Sequence, residues 1–184
     1  MSMDNTTTPR ATSALNIAIY LLSLDPERKY FANSRMLITD EEDNYKSNPV
    51  IGNFRLNKHL QIMQALHYSC YGVPLFRNEI KAFEHGGVVP FVYHSFRELC
   101  WEVDDLASSL EEKPKDFIKK VFYYLKDHYS DRELRELAHE DLAWQKARQS
   151  KLKGGSDTFV YDKEVLHYYQ VLSRSLLTAM GIKC

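Results

Sequence analysis

The sequence predicts an all-α protein, a compact single-domain bundle of six to eight helices. Apolar residues recur at three- and four-residue spacing in several stretches, which is the pattern of helices that bury one face. Helix-start residues and glycine or proline breaks separate these stretches. The chain has 184 residues, of which 44% are hydrophobic, and this suits one domain with a sizeable core.

The predicted order begins with a flexible segment at residues 1–11, and a helical domain follows at 12–148. The first helix has an apolar stripe that includes Ala14 and Leu21, with Thr12 or Ser13 as its cap. Residues 33–52 are acidic and show no sustained periodicity, so they are predicted to be a loop insertion with room for a small hairpin. A calcium loop is disfavoured because the alternation and central glycine of an EF-hand are missing.

The second helix is predicted from five residues that share one face, with Asn53 as a possible cap; they are Leu56, Leu60, Met63, His67 and Cys70. Gly72 and Pro74 end this helix, because glycine closes many helices and proline cannot continue one. Residues 78–84 have room for about two helical turns. His85-Gly86-Gly87 then breaks the pattern.

Four further helices complete the predicted fold. Pro90 opens one whose apolar stripe extends to Leu99 and Cys100, and Pro114 opens the next. Ser130 and Glu133 have the spacing of a capping box. Residues 149–184 are predicted to be a loop and a C-terminal helix packed on the same domain. That helix is capped by Asp162, passes through Val165, Tyr169, Leu172, Leu176 and Ala179, and stops at Gly181.

Charge and cysteine content restrict the class of protein. The formal net charge is −1, from 24 basic and 25 acidic side chains, so no global field attracts nucleic acid or a membrane. Residues 14–24 are apolar but too short to span a bilayer. Cys70 and Cys100 lie on apolar faces, and no C-x-x-C spacing occurs. We therefore predict buried thiols in a cytoplasmic protein, with no disulfide or zinc site.

No catalytic residue, metal ion or cofactor is predicted. Nucleotide-binding, nucleophile-elbow and metalloprotease motifs are absent from the sequence. His139-Glu140-Asp141 could serve as acid and base, but a helix end is the favoured interpretation. One basic run is interpreted as a solvated helix end and loop, with a phosphate contact as the alternative; it contains Lys146, Arg148, Lys151 and Lys153.

Several short motifs occur in a characteristic order. They are Leu56-Asn57-Lys58 near a helix start, Tyr71-Gly72-Val73-Pro74-Leu75-Phe76, the Glu79 to Phe83 segment before His85-Gly86, Val88-Val89-Pro90-x-Val92-Tyr93, and Leu134-x-x-Leu137-Ala138-His139 followed by Trp144. Over residues 12–148 this order resembles the Panacea domain, the SocA-like family of phage-associated and antitoxin proteins. The chain departs from it with Gly86-Gly87, where members usually carry Gly-Pro, and with His59 at a usually apolar position.

The resemblance implies an antitoxin that neutralises a cognate toxin by direct contact, in some members also presenting it to a protease. A toxin is thus the expected partner, with a protease or chaperone second, and neither nucleic acid nor a membrane is expected. The alternatives are a phage or mobile-element regulator that binds a host protein, and an enzyme with a His/carboxylate site. The candidate partner-binding residues are Lys58, Pro74, Phe76, His85, Gly86, Gly87, Val88, Pro90, Tyr93, His139 and Trp144.

Overall fold

The computed structural model describes residues 11–33, 53–96 and 110–184. The described helices are α1 Ala14–Ser23, α2 Asn53–Tyr71, α3 Pro90–Ser95, α4 Glu112–His128, α5 Asp131–His139, α6 Leu142–Leu152, α7 Lys163–Leu172 and α8 Arg174–Ala179, with a short 3-10 helix at Phe31–Asn33. The predicted mainly-α fold is confirmed. Most of the 33–52 insertion, the side chain of Asn53, and Leu99 and Cys100 lie outside the described residues, as does the segment 1–10.

Helix α2 is the centre of the fold. It packs against α1, α3, α4, α5, α7 and α8. Residues 56–64 are all buried, which is more than two full turns, so every side of this part of α2 faces protein. Because the polar side chains of α2 are enclosed as well, they must find hydrogen-bond partners inside the protein. Within the described residues, no helix combines the length and apolar character needed to cross a membrane.

The predicted helix boundaries at Ser13, Gly72, Pro90, Ser130 and Asp162 are confirmed. The side chains of Ser13, Ser130 and Asp162 each accept a hydrogen bond from the backbone N–H three residues ahead, at 3.2, 3.3 and 2.9 Å. Ser130 and Glu133 form the complete capping box. Gly72 follows α2 with a φ of +70°, and Pro90 is the first residue of α3.

Residues 78–84 do not form helical turns, and that prediction was wrong. Instead β1, Lys81–Phe83, pairs antiparallel with β2, Gly86–Val88, in a hairpin whose partners include Ala82 opposite Gly87. Residues 157–159 line the other edge of β1, where Ala82 N donates to Asp157 O at 2.8 Å and Phe159 N donates to Ile80 O at 2.9 Å. The backbone of this segment is therefore satisfied by partners on both sides, and one of those partners is distant in sequence.

The C-terminal helix was predicted as one element but is two. Ser173 separates α7 from α8, and this change of direction brings Leu177 and Ile182 into the core. Helix α4 begins at Glu112, so Pro114 lies inside the first turn and does not open it.

Cys70 is not a free thiol in this structure, contrary to the prediction. It forms a disulfide with Cys184, with 4.8 Å between their Cα atoms. The two cysteines are 114 residues apart in sequence. They meet because the C-terminal segment, after α8, returns to the end of α2. The spacing of the cysteines along the sequence therefore could not have indicated this pair.

His59, which occupies a usually apolar family position, lies in an aromatic cluster. Its ring centroid is 5.5 Å from that of Tyr30 and 5.7 Å from those of Phe31 and Phe122. His59 has no exposed surface, and its Nδ1 is 2.9 Å from the carbonyl oxygen of Arg55, to which it donates. Burial lowers the pKa of His59 to about 4. The imidazole is therefore a neutral core ring at pH 7.

Folding stability should fall as pH drops below 6.5, and His59 should cause much of that loss. The unfolded state takes up a proton on this ring near pH 6.5, whereas the folded state takes it up only near its own pKa of about 4. The stabilisation is thus complete above pH 6.5 and is lost toward pH 4, by about 3 kcal/mol at 1.36 kcal/mol per pKa unit.

Urea unfolding of the wild type and of His59→Leu at about pH 7.5 and about pH 4.5 measures this contribution. Other histidines titrate in both proteins, so only the difference between the two pH dependences reports on His59. We expect a flatter pH dependence for the variant. Equal losses in the two proteins would contradict a neutral buried His59.

Candidate functional site

A polar stripe along α2 supports two loops of the family motifs. Asn57, Gln61 and Gln64 recur at four- and three-residue spacing on one face, and Lys58 lies beside them; we call these four residues the polar stripe. All four side chains are buried. Each of them binds backbone groups outside α2: Asn57 Oδ1, for example, accepts a hydrogen bond from Val89 N at 2.9 Å.

Gln64 fixes the turn that follows α2. Its Oε1 accepts from Leu75 N at 2.9 Å and from Phe76 N at 3.2 Å, and its Nε2 donates to Phe76 O at 3.0 Å. His67 Nδ1 adds a hydrogen bond to Val73 O at 2.8 Å. The conformation of residues 73–76 is therefore set by side chains of α2, and the side chain of Phe76 is buried in the core.

Lys58 lies beneath the β1–β2 hairpin with 1% of its surface exposed. Its Nζ donates to Gly87 O at 2.8 Å. Burial lowers the pKa of Lys58 to about 7, and the charge of Asp141 partly opposes this shift. Glycine is favoured at position 86 because its φ is +117° and because a Cβ there would lie 2.5 Å from Lys58 Nζ.

Gln61 joins the hairpin to the α5–α6 corner. Its Oε1 accepts from Gly87 N at 2.6 Å, while its Nε2 donates to Ala138 O at 2.9 Å and to Asp141 Oδ2 at 3.0 Å. Asp141 Oδ1 also accepts from Tyr169 OH at 2.6 Å. Burial raises the pKa of Asp141, and these hydrogen bonds act in the opposite direction.

Side chains of α5 and α6 contact the hairpin turn from the outside. His139 Nε2 donates to Glu84 O at 3.1 Å, and the imidazole stacks on the Trp144 indole with ring centroids 4.2 Å apart. Trp144 Nε1 donates to Phe83 O at 2.9 Å. Arg135 Nε donates to His85 Nδ1 at 3.1 Å. His139 and Trp144, from the last of the family motifs, thus hold the turn at residues 83–85 through hydrogen bonds to its backbone.

The two histidines at this turn are held in the neutral form. Burial, followed by the charges of Arg135 and Lys58, lowers the pKa of His139 to about 4. The pKa of His85 is also lowered, first by burial, although the Glu84 carboxylate opposes that shift. Since a carbonyl oxygen only accepts, His139 carries its proton on Nε2.

The residues 139–141 do not form an acid–base pair in the described structure. His139 faces the hairpin turn, Glu140 is exposed, and the Asp141 carboxylate caps α6 by accepting from Ala143 N at 2.9 Å. The favoured interpretation of this cluster as a helix end is confirmed, since α5 ends at His139 and Asp141 is the N-cap of α6.

The predicted site residues fall into a buried and a partly exposed set. The buried residues, which contact the protein itself in this conformation, are Lys58, Phe76, Gly86, Gly87, Val88 and Tyr93. The partly exposed residues are Pro74, His85, Pro90, His139 and Trp144. Most of the eleven surround the hairpin, whereas Pro74 and Phe76 belong to the turn held by Gln64.

Sequence reasoning missed Gln61, Gln64, Arg135 and Asp141 as parts of this site. A signal for the glutamines was present, because Asn57, Gln61 and Gln64 share one face of a predicted helix. Amides at such positions indicate buried hydrogen bonds. Arg135 and Asp141 gave no comparable signal, since charged residues near helix ends are usually solvated.

An apolar groove runs beside this site, between α2, α5 and α7–α8. It has a volume of about 180 Å³, and its apolar lining includes Ile62, Leu66, Leu137, Leu172 and Leu176. Leu172 at its edge is 54% exposed, and the neighbouring Val171 is 63% exposed. Gln61 and Asp141, which also hydrogen-bond to each other, are among the residues that line the groove.

Residues 56–145 match the family model described as antitoxin SocA-like, Panacea domain. The matched stretch runs from α2 to α6 and contains the polar stripe, the hairpin and the side chains that clamp its turn. Neither a curated protein nor a solved structure matches the chain. Residues 56–145, just under half of the chain, are therefore similar to the Panacea domain of the antitoxin SocA-like family.

Proposed function

We propose that this protein is an antitoxin that neutralises a cognate toxin by direct protein–protein binding. The match of residues 56–145 to the antitoxin family is the observation that carries the proposal. It implies a protein as the partner, and the toxin is the specific partner that we propose.

The chemistry of the region that contains the family motifs supports a binding role, and we propose no reaction for it. His139 and Trp144 donate hydrogen bonds to backbone carbonyls of the hairpin, and Asp141 acts as a helix cap. A rigid turn held by buried amides suits a recognition surface, because a pre-ordered loop loses little entropy on binding. The open groove edged by Leu172 adds apolar surface of the kind found at the centre of interfaces.

We place the protein in the cytoplasm, where a toxin that arrests growth would act. Disulfides rarely persist in that compartment. Under this proposal the Cys70–Cys184 disulfide is an exception to that rule. Delivery of the toxin to a protease would be an additional step that uses the same complex.

A growth assay tests the proposed function. This gene and each adjacent gene of its native locus are expressed separately and then together. We expect one neighbour to arrest growth alone, co-expression to restore growth, and the two proteins to co-purify. Adjacent genes that are harmless alone would contradict the antitoxin proposal and would direct the search to a host protein as the partner.

A further inference from the structure

The Cys70–Cys184 disulfide lines an open depression between the end of α2 and the C-terminal part of the chain. The depression has a volume of about 910 Å³, and Arg174 and Lys183 line it together with the two cysteines. Cys184 is exposed, and Cys70 is partly exposed. The disulfide therefore lies at the surface, and a small molecule that enters the depression meets it.

The charged side chains that line this depression are basic. Arg174 is the first residue of α8, and Lys183 precedes Cys184 in the sequence. Among the described residues, no Asp or Glu side chain lines the depression. Positive charge attracts anionic small molecules, and beside sulfur it favours the thiolate, which is the form that attacks a disulfide. The depression therefore suits a small thiol that carries a net negative charge.

Contacts besides the disulfide bond hold the two cysteines near each other. Ser69 Oγ donates to Tyr169 O at 3.0 Å, which fixes the last turn of α2 against α7. After α8, Ile182 N donates to Leu177 O at 2.9 Å, and both of these side chains are buried in the core. The segment that carries Cys184 is therefore anchored without the S–S bond, so the two sulfur atoms stay positioned to pair again after the bond has opened.

We propose that this depression is a site of thiol–disulfide exchange with a small anionic thiol such as glutathione, and that Cys184 is the residue modified. The incoming thiolate forms a bond to Cys184 Sγ, the Cys70–Cys184 bond breaks, and Cys70 leaves as a thiolate that takes a proton from water. Cys184 is the sulfur attacked because it is exposed, whereas Cys70 packs against the core.

The exchange is balanced and reversible. One disulfide is consumed and one is formed, so the step needs no separate oxidant or reductant. In the return step the Cys70 thiolate attacks the mixed disulfide on Cys184, restores the original bond and releases the small thiol. The proposal goes beyond the proposed antitoxin role and does not depend on it.

Exchange rates with two thiols test the proposal. The full-length protein is oxidised, remaining thiols such as that of Cys100 are blocked with iodoacetamide, and glutathione or cysteamine is added. Mass spectrometry of peptic peptides from acid-quenched samples locates the adduct. We expect glutathione first on Cys184, and a rate about threefold to tenfold lower in Arg174→Gln/Lys183→Gln at low salt. The rate with cysteamine, whose thiolate form has no net charge, should stay within about twofold.

A charge-matched control separates the depression from net charge. Lys119→Gln/Lys153→Gln removes two exposed positive charges that do not line the depression, and its rate with glutathione should stay within about twofold of the wild type. Circular dichroism and thermal melting confirm that each variant is folded. Equal slowing in both double variants, or an adduct that forms first on Cys70, would overturn the assignment of the site.

A cysteine variant tests the return step. Cys70→Ser keeps Cys184 but removes the thiol that releases the adduct, so incubation with glutathione disulfide should accumulate a stable mixed disulfide on Cys184. The reduced wild type, treated in the same way, should instead close to the Cys70–Cys184 disulfide. Equal amounts of stable adduct in the two proteins would show that Cys70 does not act on Cys184 and would overturn the exchange.

Two other outcomes would also overturn the proposal. The first is a folded wild type whose disulfide does not react with glutathione although the urea-unfolded chain does. The second is reduction by thioredoxin without any glutathione adduct, which would assign the disulfide to a protein dithiol.

Discussion

Replacing Gly86 with alanine should lower the free energy of unfolding by about 4 kcal/mol. The φ of Gly86 is +117°, where a residue with a side chain is strained by about 1–2 kcal/mol. The new Cβ would also lie 2.5 Å from Lys58 Nζ and 3.0 Å from Ala138 Cβ, and overpacking of this kind costs about 1–3 kcal/mol. Urea unfolding followed by circular dichroism measures the change.

Gly154 is the matched control for this prediction. Its φ is +80°, but a Cβ there would meet nothing within 4 Å. Gly154→Ala should therefore show only the backbone strain, about 1 kcal/mol. The difference between the two variants measures how tightly the hairpin packs on Lys58 and α5. Equal effects of the two substitutions would show that Gly86 has room for a side chain.

Replacing Gln61 with leucine should also lower the free energy of unfolding by about 4 kcal/mol. The change preserves most of the side-chain volume. It leaves Gly87 N and Ala138 O without the Gln61 amide as a hydrogen-bond partner, and Asp141 Oδ2 loses the hydrogen bond that Gln61 donates. Each buried polar group left unpaired costs about 1–3 kcal/mol, and the costs at one site are not additive. Gln149 is exposed on α6, so Gln149→Leu should change stability by less than about 0.5 kcal/mol.

Chemical denaturation of both glutamine variants at pH 7 gives the comparison. If Gln61→Leu were as stable as Gln149→Leu, a water molecule or a local shift would have to satisfy the three groups, and the polar stripe would not hold the hairpin. The same variants connect stability with function. Gln61→Leu should lose toxin neutralisation only as far as it unfolds.

The helices and their ends could largely be predicted from the sequence. The caps at Ser13, Ser130 and Asp162, and the αL residue Gly72, depend on hydrogen bonds within a few residues, so local sequence contains the needed information. The family motifs likewise pointed to the part of the chain that became the site, because their order along the chain is itself a sequence property.

Only the tertiary structure decided how those pieces meet. Residues 81–88 form a hairpin because their backbone pairs with residues 157–159 and rests on α2, contacts that no local propensity describes. The pairing of Cys70 with Cys184 and the placement of Arg135 against His85 likewise join residues 114 and 50 positions apart. The sequence by itself thus determined where helices begin and end and which family the domain resembles. Burial and long-range hydrogen bonding decided that most motif residues support a hairpin and that a few remain partly exposed.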